Sequence, residues 1–179
     1  MPSLYETVLG PAWPLVPEPV RRIHGPGVSE GTFGVDRGRG ILTTLIAFAS
    51  GLPSAATAVP VRLTVTARGE SQTWDRMFGT QRMTSYQGLG PTGEIAERLG
   101  PIECRLAFSA ADGALVVRST GSALCLGPLR IPLPAFLGPA IDGRVTAEGD
   151  DARVDVAIRS GWGALLVRYH GLIRSRPPA

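Results

Sequence analysis

Lysine and asparagine are absent from this chain, and all 18 basic side chains are arginine. Without lysine there is no amine for a Schiff base and no ammonium of the kind that phosphate-loop enzymes and kinases set against a nucleotide. The all-arginine count fits a GC-rich coding bias as well as it fits selection for bidentate anion recognition, so it supports no function by itself. Histidine is nearly as scarce, with His24 and His170 only. They lie too far apart for a His-rich zinc motif, and no metal site is expected. His24 reads as a cationic residue at a helix end. Cys104 and Cys125 form no CxxC pair. Cys104 alternates with Leu106 and Phe108, so both thiols are expected reduced and in the core.

Other absences narrow the field further. No run of five or more like charges occurs, although the net charge is +3 and the isoelectric point about 9.4. Nucleic-acid binders cluster their bases on one element, so no nucleic-acid partner is expected. No G-x-S-x-G elbow is present. Gly38-Arg39-Gly40 precedes a helical pattern, but Thr43 stands where a dinucleotide-binding turn needs its third glycine, and no cofactor is implied. The longest apolar stretch, Ile41 to Leu52, is too short to span a bilayer. The opening MPSLYETVLG lacks a basic segment followed by an apolar core, so the expectation is a cytoplasmic protein without a signal peptide.

What is present is a chain of 179 residues, 44% apolar but only 6% aromatic. That length buries a core without disulfides or metals, filled mostly by aliphatic side chains. Residues 1–179 read as a single domain with a helical lead-in (1–27), a sheet with an embedded helix (28–174) and a tail (175–179). Leu4, Tyr5, Val8 and Leu9 share a helical face, and a second short helix runs from about Pro17 to His24. The one long helical stripe covers Ile41–Ser50, with apolar positions at 41, 42, 45, 46, 48, 49 and 52 and a terminating Gly51.

Strand patterns dominate the rest. Val61, Leu63, Val65 and Ala67 alternate with Arg62, Thr64, Thr66 and Arg68, the mark of a strand with one buried and one wet face. Hairpins are expected around Gly79-Thr80, Asp112-Gly113 and Asp150-Asp151. Residues 93–99 read as a short helical turn, and 122–134 as an edge strand or crossover. The expected fold is α+β: a strongly curved, mostly antiparallel sheet or open barrel of about eight to nine strands, with N-terminal helices and the apolar 41–50 helix packed on the sheet.

Segments along almost the whole chain also resemble one bacterial family. They are LYETVLGPAWPLVPEPVRRIHG, GRGILTTLIAFASGLP, VPVRLTVTARGE, WDRMFGTQRMTSYQ, ERLGPIECRLAF and LLVRYHGLI. Their combination resembles the domain-of-unknown-function family numbered 4166. Members of that family occur alone or fused behind a saccharopine-dehydrogenase-like oxidoreductase domain. The resemblance implies an NAD(P)-type oxidoreductase as a conceivable partner and implies no catalytic residue.

Four functions compete. The favoured one is a non-catalytic binding module for an apolar or amphipathic small molecule, with the 41–50 helix as lid or plug. Trp74, Arg76, Arg82, Arg168 and His170 would supply polar anchors, holding an anionic head group. The second is an accessory domain for an oxidoreductase. The third is an acid/base enzyme using His170 with a carboxylate, for which Asp75, Glu103 and Asp155 lie on strand faces. Peripheral membrane contact through the 41–50 helix ranks last, because that helix has no basic face of its own.

Overall fold

The computed structural model describes residues 2–176, at 48 and 49 the backbone alone. The 177–179 part of the expected tail lies outside the described residues. The chain opens with α1 (Leu4–Leu9), whose start is a capping box. Ser3 Oγ accepts from the Glu6 amide, and the Glu6 carboxylate accepts from the Ser3 amide. A 3-10 turn (Gly10–Leu15) leads to α2 (Glu18–His24), and α3 is Ile41–Ala49.

Eleven strands follow the expected hairpin order: β1 (Gly27–Arg37), β2 (Ala56–Arg68), β3 (Ser71–Phe78), β4 (Gln81–Leu89), β5 (Ile95–Leu99), β6 (Ile102–Ala111), β7 (Ala114–Leu126), β8 (Leu129–Leu133), β9 (Ala140–Glu148), β10 (Asp151–Arg159) and β11 (Leu165–Ser175). Every pairing is antiparallel. β1 joins both β2 and β11, and β6 joins β7, which joins β9. Ten strands therefore close into a barrel, and β8 is an extra strand hydrogen-bonded to the second half of β7.

The expected open sheet of about eight to nine strands is corrected on both points. Closure leaves no edge along the barrel wall for solvent or another chain to pair with. Two glycines permit the tight β1–β11 seam: a Cβ on Gly31 would lie 2.0 Å from the Leu172 carbonyl oxygen, and one on Gly171 2.2 Å from that of Thr32. The expected helical turn at 93–99 is also overturned. Residues 95–99 form β5, paired with β4 and β6, because Ile95, Glu97 and Leu99 alternate inward to fill the gap between them. Three turns match or nearly match the expectation: 79–80, 112–113 and, one residue earlier than expected, 149–150. Asp112 and Gly113 both take positive φ, 50° and 67°, as a two-residue hairpin of this twist demands.

The helices do not sit inside the sheet. α1 and α2 close one end of the barrel, burying Leu4, Tyr5, Val20, Ile23 and His24. α3 lies across the opposite end. Its Ala47 is buried, while Ile41, Leu42 and Leu45 face solvent. The expectation that the sheet would bury the whole apolar stripe of this helix fails, because α3 lies across the barrel mouth and meets the barrel on one side only. Among the described residues no helix is long and apolar enough to cross a membrane.

Candidate functional site

The parity of the strands puts a polar cluster in the middle of an otherwise apolar interior. On β3, Gln72, Trp74, Arg76 and Phe78 point inward, and on β4, Met83, Ser85 and Gln87 do the same. Arg76 donates through Nη1 to Ser85 Oγ at 2.8 Å and through Nη2 to Glu97 Oε1 at 3.1 Å, and Ser85 Oγ donates to the same carboxylate. The Arg76 guanidinium also lies 4.9 Å from the Trp74 ring centroid. Burial works against the Arg76 charge, but the Glu97 carboxylate together with the Tyr169 and Tyr5 hydroxyls more than offsets this and keeps it protonated beyond its ordinary range. The pair is nearly out of solvent, at 12% and 17% side-chain exposure.

Above this cluster, toward α1 and α2, the polar atoms are satisfied locally. The Tyr5 hydroxyl donates to Gln87 Oε1 at 2.9 Å, Trp74 Nε1 donates to Gln72 Oε1 at 3.1 Å, and Gln72 Nε2 donates to the His24 carbonyl. Burial raises the Tyr5 hydroxyl above its usual range. His24 is a correction: it is no cationic cap. Burial pushes its pKa down to about 4, and its neutral ring meets the Val20 carbonyl at 2.7 Å while packing edge-on against Tyr5.

Between this floor and α3 a cavity of about 280 Å³ remains. Its walls are aliphatic and aromatic, with Arg76, Ser85 and Glu97 as the polar group at mid-barrel. Tyr169 on β11 also faces it. No described residue takes part in a hydrogen bond with the Tyr169 hydroxyl, which burial holds above its usual pKa. Leu137 and Trp162 line the cavity and are also about half exposed, at 55% and 50%, so the cavity reaches the surface beside α3.

Of the five residues expected to form a polar anchor, Trp74 and Arg76 are in this cavity. The other three stand on the outer wall. Arg82 makes a two-pronged ion pair with Asp75 at 2.8 and 2.7 Å, and Arg168 does the same with Asp155 at 2.8 and 2.6 Å. His170 Nε2 lies 3.4 Å from Asp36 Oδ2, in the open. Asp75, Asp155 and Glu103, the carboxylates considered as acid/base partners, are each taken by an arginine, the last by Arg130. Hydrogen bonds from Arg82 and Arg168 hold Asp75 and Asp155 below the ordinary carboxylate range. Cys104 and Cys125 are buried free thiols, as expected, and burial pushes Cys104 up to about 12.

The residues that sequence reasoning missed are Glu97, Ser85 and Tyr169. Glu97 was hidden by the helical reading of 93–99, although the Ile95, Glu97, Leu99 alternation was there to find.

The family model described as Domain of unknown function (DUF4166) matches residues 16–173. The chain belongs to that family. In this DUF4166 chain the matched region spans all eleven strands apart from the last two residues of β11, together with α2 and α3. The interior cluster of Arg76, Ser85, Glu97 and Tyr169 therefore falls wholly within the family region, while Tyr5 of the floor precedes it. No curated protein matches the chain.

Proposed function

We propose that the barrel interior binds one small, largely apolar molecule whose single neutral polar group meets Tyr169 and the Arg76–Glu97 pair. The observation that supports this reading is a cavity of about 280 Å³ left open among the inward-facing side chains of the barrel. That volume is roughly nine waters' share of the liquid, so the occupant is small, with about ten non-hydrogen atoms. Apolar walls supply the affinity and the polar cluster the orientation. The head group is a hydroxyl, ketone or ester rather than the anionic one expected from Trp74, Arg76, Arg82, Arg168 and His170. The Arg76 charge is already answered by Glu97, and a carboxylate entering here would bring a second anion against Glu97 in a medium of low dielectric. Buried free thiols at Cys104 and Cys125 support a reducing, cytoplasmic setting for this carrier.

A matched pair of probes tests the reading. With decan-1-ol and decanoate, thermal shift and native mass spectrometry should both report one molecule of the alcohol per chain. At a hundredfold excess over Kd the alcohol should raise the Tm by on the order of 5–10 °C, and decanoate by much less. Glu97→Gln leaves Arg76 without its counter-charge and should reverse that order. If no alcohol, ester or acid of this size shifts the Tm or stays bound in the mass spectrometer, the reading is wrong.

A further inference from the structure

The end of the barrel crossed by α3 is chemically unlike the rest of the surface. Six connections meet there (38–55, 79–80, 100–101, 127–128, 134–139 and 160–164), and Arg39 is their only charged residue. At the opposite end each of the four hairpin connections carries a carboxylate: Glu70, Glu94, Asp112 and Asp150. Large apolar side chains stand out into solvent around the α3 end. Ile41, Leu42 and Leu45 come from the helix, Phe136 and Leu137 from the β8–β9 connection, and Trp162 from the β10–β11 connection, with Ile41 83% and Phe136 63% exposed.

Three arginines at or beside this end lack the ion pair that several others along the barrel have. Arg82, Arg130, Arg153, Arg168 and Arg174 on the wall are each held by a carboxylate. Arg39, Arg98 and Arg159 are exposed and meet no carboxylate among the described residues. Arg98 and Arg159 instead donate to the Gly100 and Gly163 carbonyls of their own connections, and Arg37 ties the segment after α3 by donating to the Leu52 and Pro53 carbonyls. Apolar projections from three separate connections that contain no acid, with the unpaired Arg39 among them and Arg98 and Arg159 at the adjoining strand ends, suit a broad anionic interface with an apolar layer beneath. A groove for a peptide would gather its apolar side chains into one cleft.

We propose that this end docks on an anionic phospholipid surface. The Ile41, Leu42 and Leu45 face of α3, with Phe136 and Trp162, enters the headgroup boundary, and Arg39, Arg98 and Arg159 meet lipid phosphates. The basic face that α3 lacks is supplied by the strand ends around it. Docking in this orientation sets the cavity opening beside Leu137 and Trp162 against the membrane, but it does not require the cavity to be filled.

Flotation of the full chain with vesicles of phosphatidylcholine containing phosphatidylglycerol, and with phosphatidylcholine alone, tests this. The protein should float with the anionic vesicles, and binding should fall about tenfold or more without phosphatidylglycerol, in high salt, and in the double variant R39E/R159E. Leu42→Asp with Phe136→Asp should abolish it. All four positions are exposed, and an unchanged Tm confirms that each variant is folded. Absence of flotation with both vesicle types overturns the proposal, as does flotation that both double variants retain. Light scattering decides the remaining case. A dimer dissolved by L42D/F136D, with no vesicle binding, assigns the surface to a second copy and overturns the lipid proposal. The decanol experiment reads the cavity and not this surface, so either conclusion can fail alone.

Discussion

At the end closed by α1 and α2 the apolar side chains of the helices point into the barrel, and every hairpin turn carries a carboxylate. At the end crossed by α3 the helix turns its leucines outward, and the connections hold a single charge. Both ends have a helix over a ten-stranded barrel, yet one helix pair completes the core and the other helix leaves it incomplete. A plug and a cover are thus distinguished by where their apolar faces go. Tyr5 shows the plug side: it is 1% exposed, packs against Trp13, His24, Trp74 and Phe108, and bonds Gln87.

The largest effect that would break this contrast is at Tyr5. Replacing it by Ala should cost about 3–5 kcal/mol, because the cavity lies beneath the helices and four aromatic neighbours lose contact. Urea unfolding measures it. A loss below about 1 kcal/mol would mean that α1 is an attachment to the barrel and not its floor.

His24 sharpens the same side through pH. Its folded pKa is about 4 against an ordinary 6.5. The unfolded chain therefore takes up a proton below about pH 6.5 that the folded chain refuses until about pH 4. Stability from this residue is complete above pH 6.5 and is lost as the pH falls through that window, by about 3 kcal/mol. Asp75 and Asp155, held below 3.8, act only at lower pH, where their protonation removes stability in the same direction. His24→Phe keeps the ring against Tyr5 and Trp74 and should flatten the profile between pH 6.5 and 4. An unchanged slope in that variant would show that the histidine is solvated and the floor loose.

Much of the wall was readable before any coordinates. Alternation placed Val61, Leu63 and Val65 inside and Arg62 and Thr64 outside, and turn chemistry marked the hairpins. Parity also contained the correct sorting of the anchor residues. Trp74 and Arg76 share a face with Phe78, and Arg82 lies opposite Met83, so the five expected anchors draw on both faces of the wall. By the same parity Arg168 and His170 stand on the outer wall, opposite the inward-facing Tyr169. Two things were beyond a linear reading. Barrel closure depends on β1 meeting β11 and β7 meeting β9, strands that no hairpin joins. The Arg76–Glu97 pair forms across β4, through register that no local pattern encodes. The asymmetry of the ends belongs to the same class, because connections alternate between the two ends along the chain and only the folded barrel gathers each set.

Leu45 supplies the smallest and most discriminating number. It is 59% exposed, one helical turn on from the 83% exposed Ile41, and its removal uncovers almost nothing. Leu45→Ser should change stability by no more than about 0.5 kcal/mol, against several for Tyr5, although both side chains belong to apolar helical stripes of the kind that normally mark a core. Serine's weaker helix propensity accounts for a few tenths of that. A loss of about 2 kcal/mol would mean that α3 folds inward in solution, filling the opening beside Trp162, and the two ends would then be alike. A near-zero loss leaves the leucine without a structural reason to be apolar, and so makes the solvent-facing side of α3 a surface kept for contact with something else.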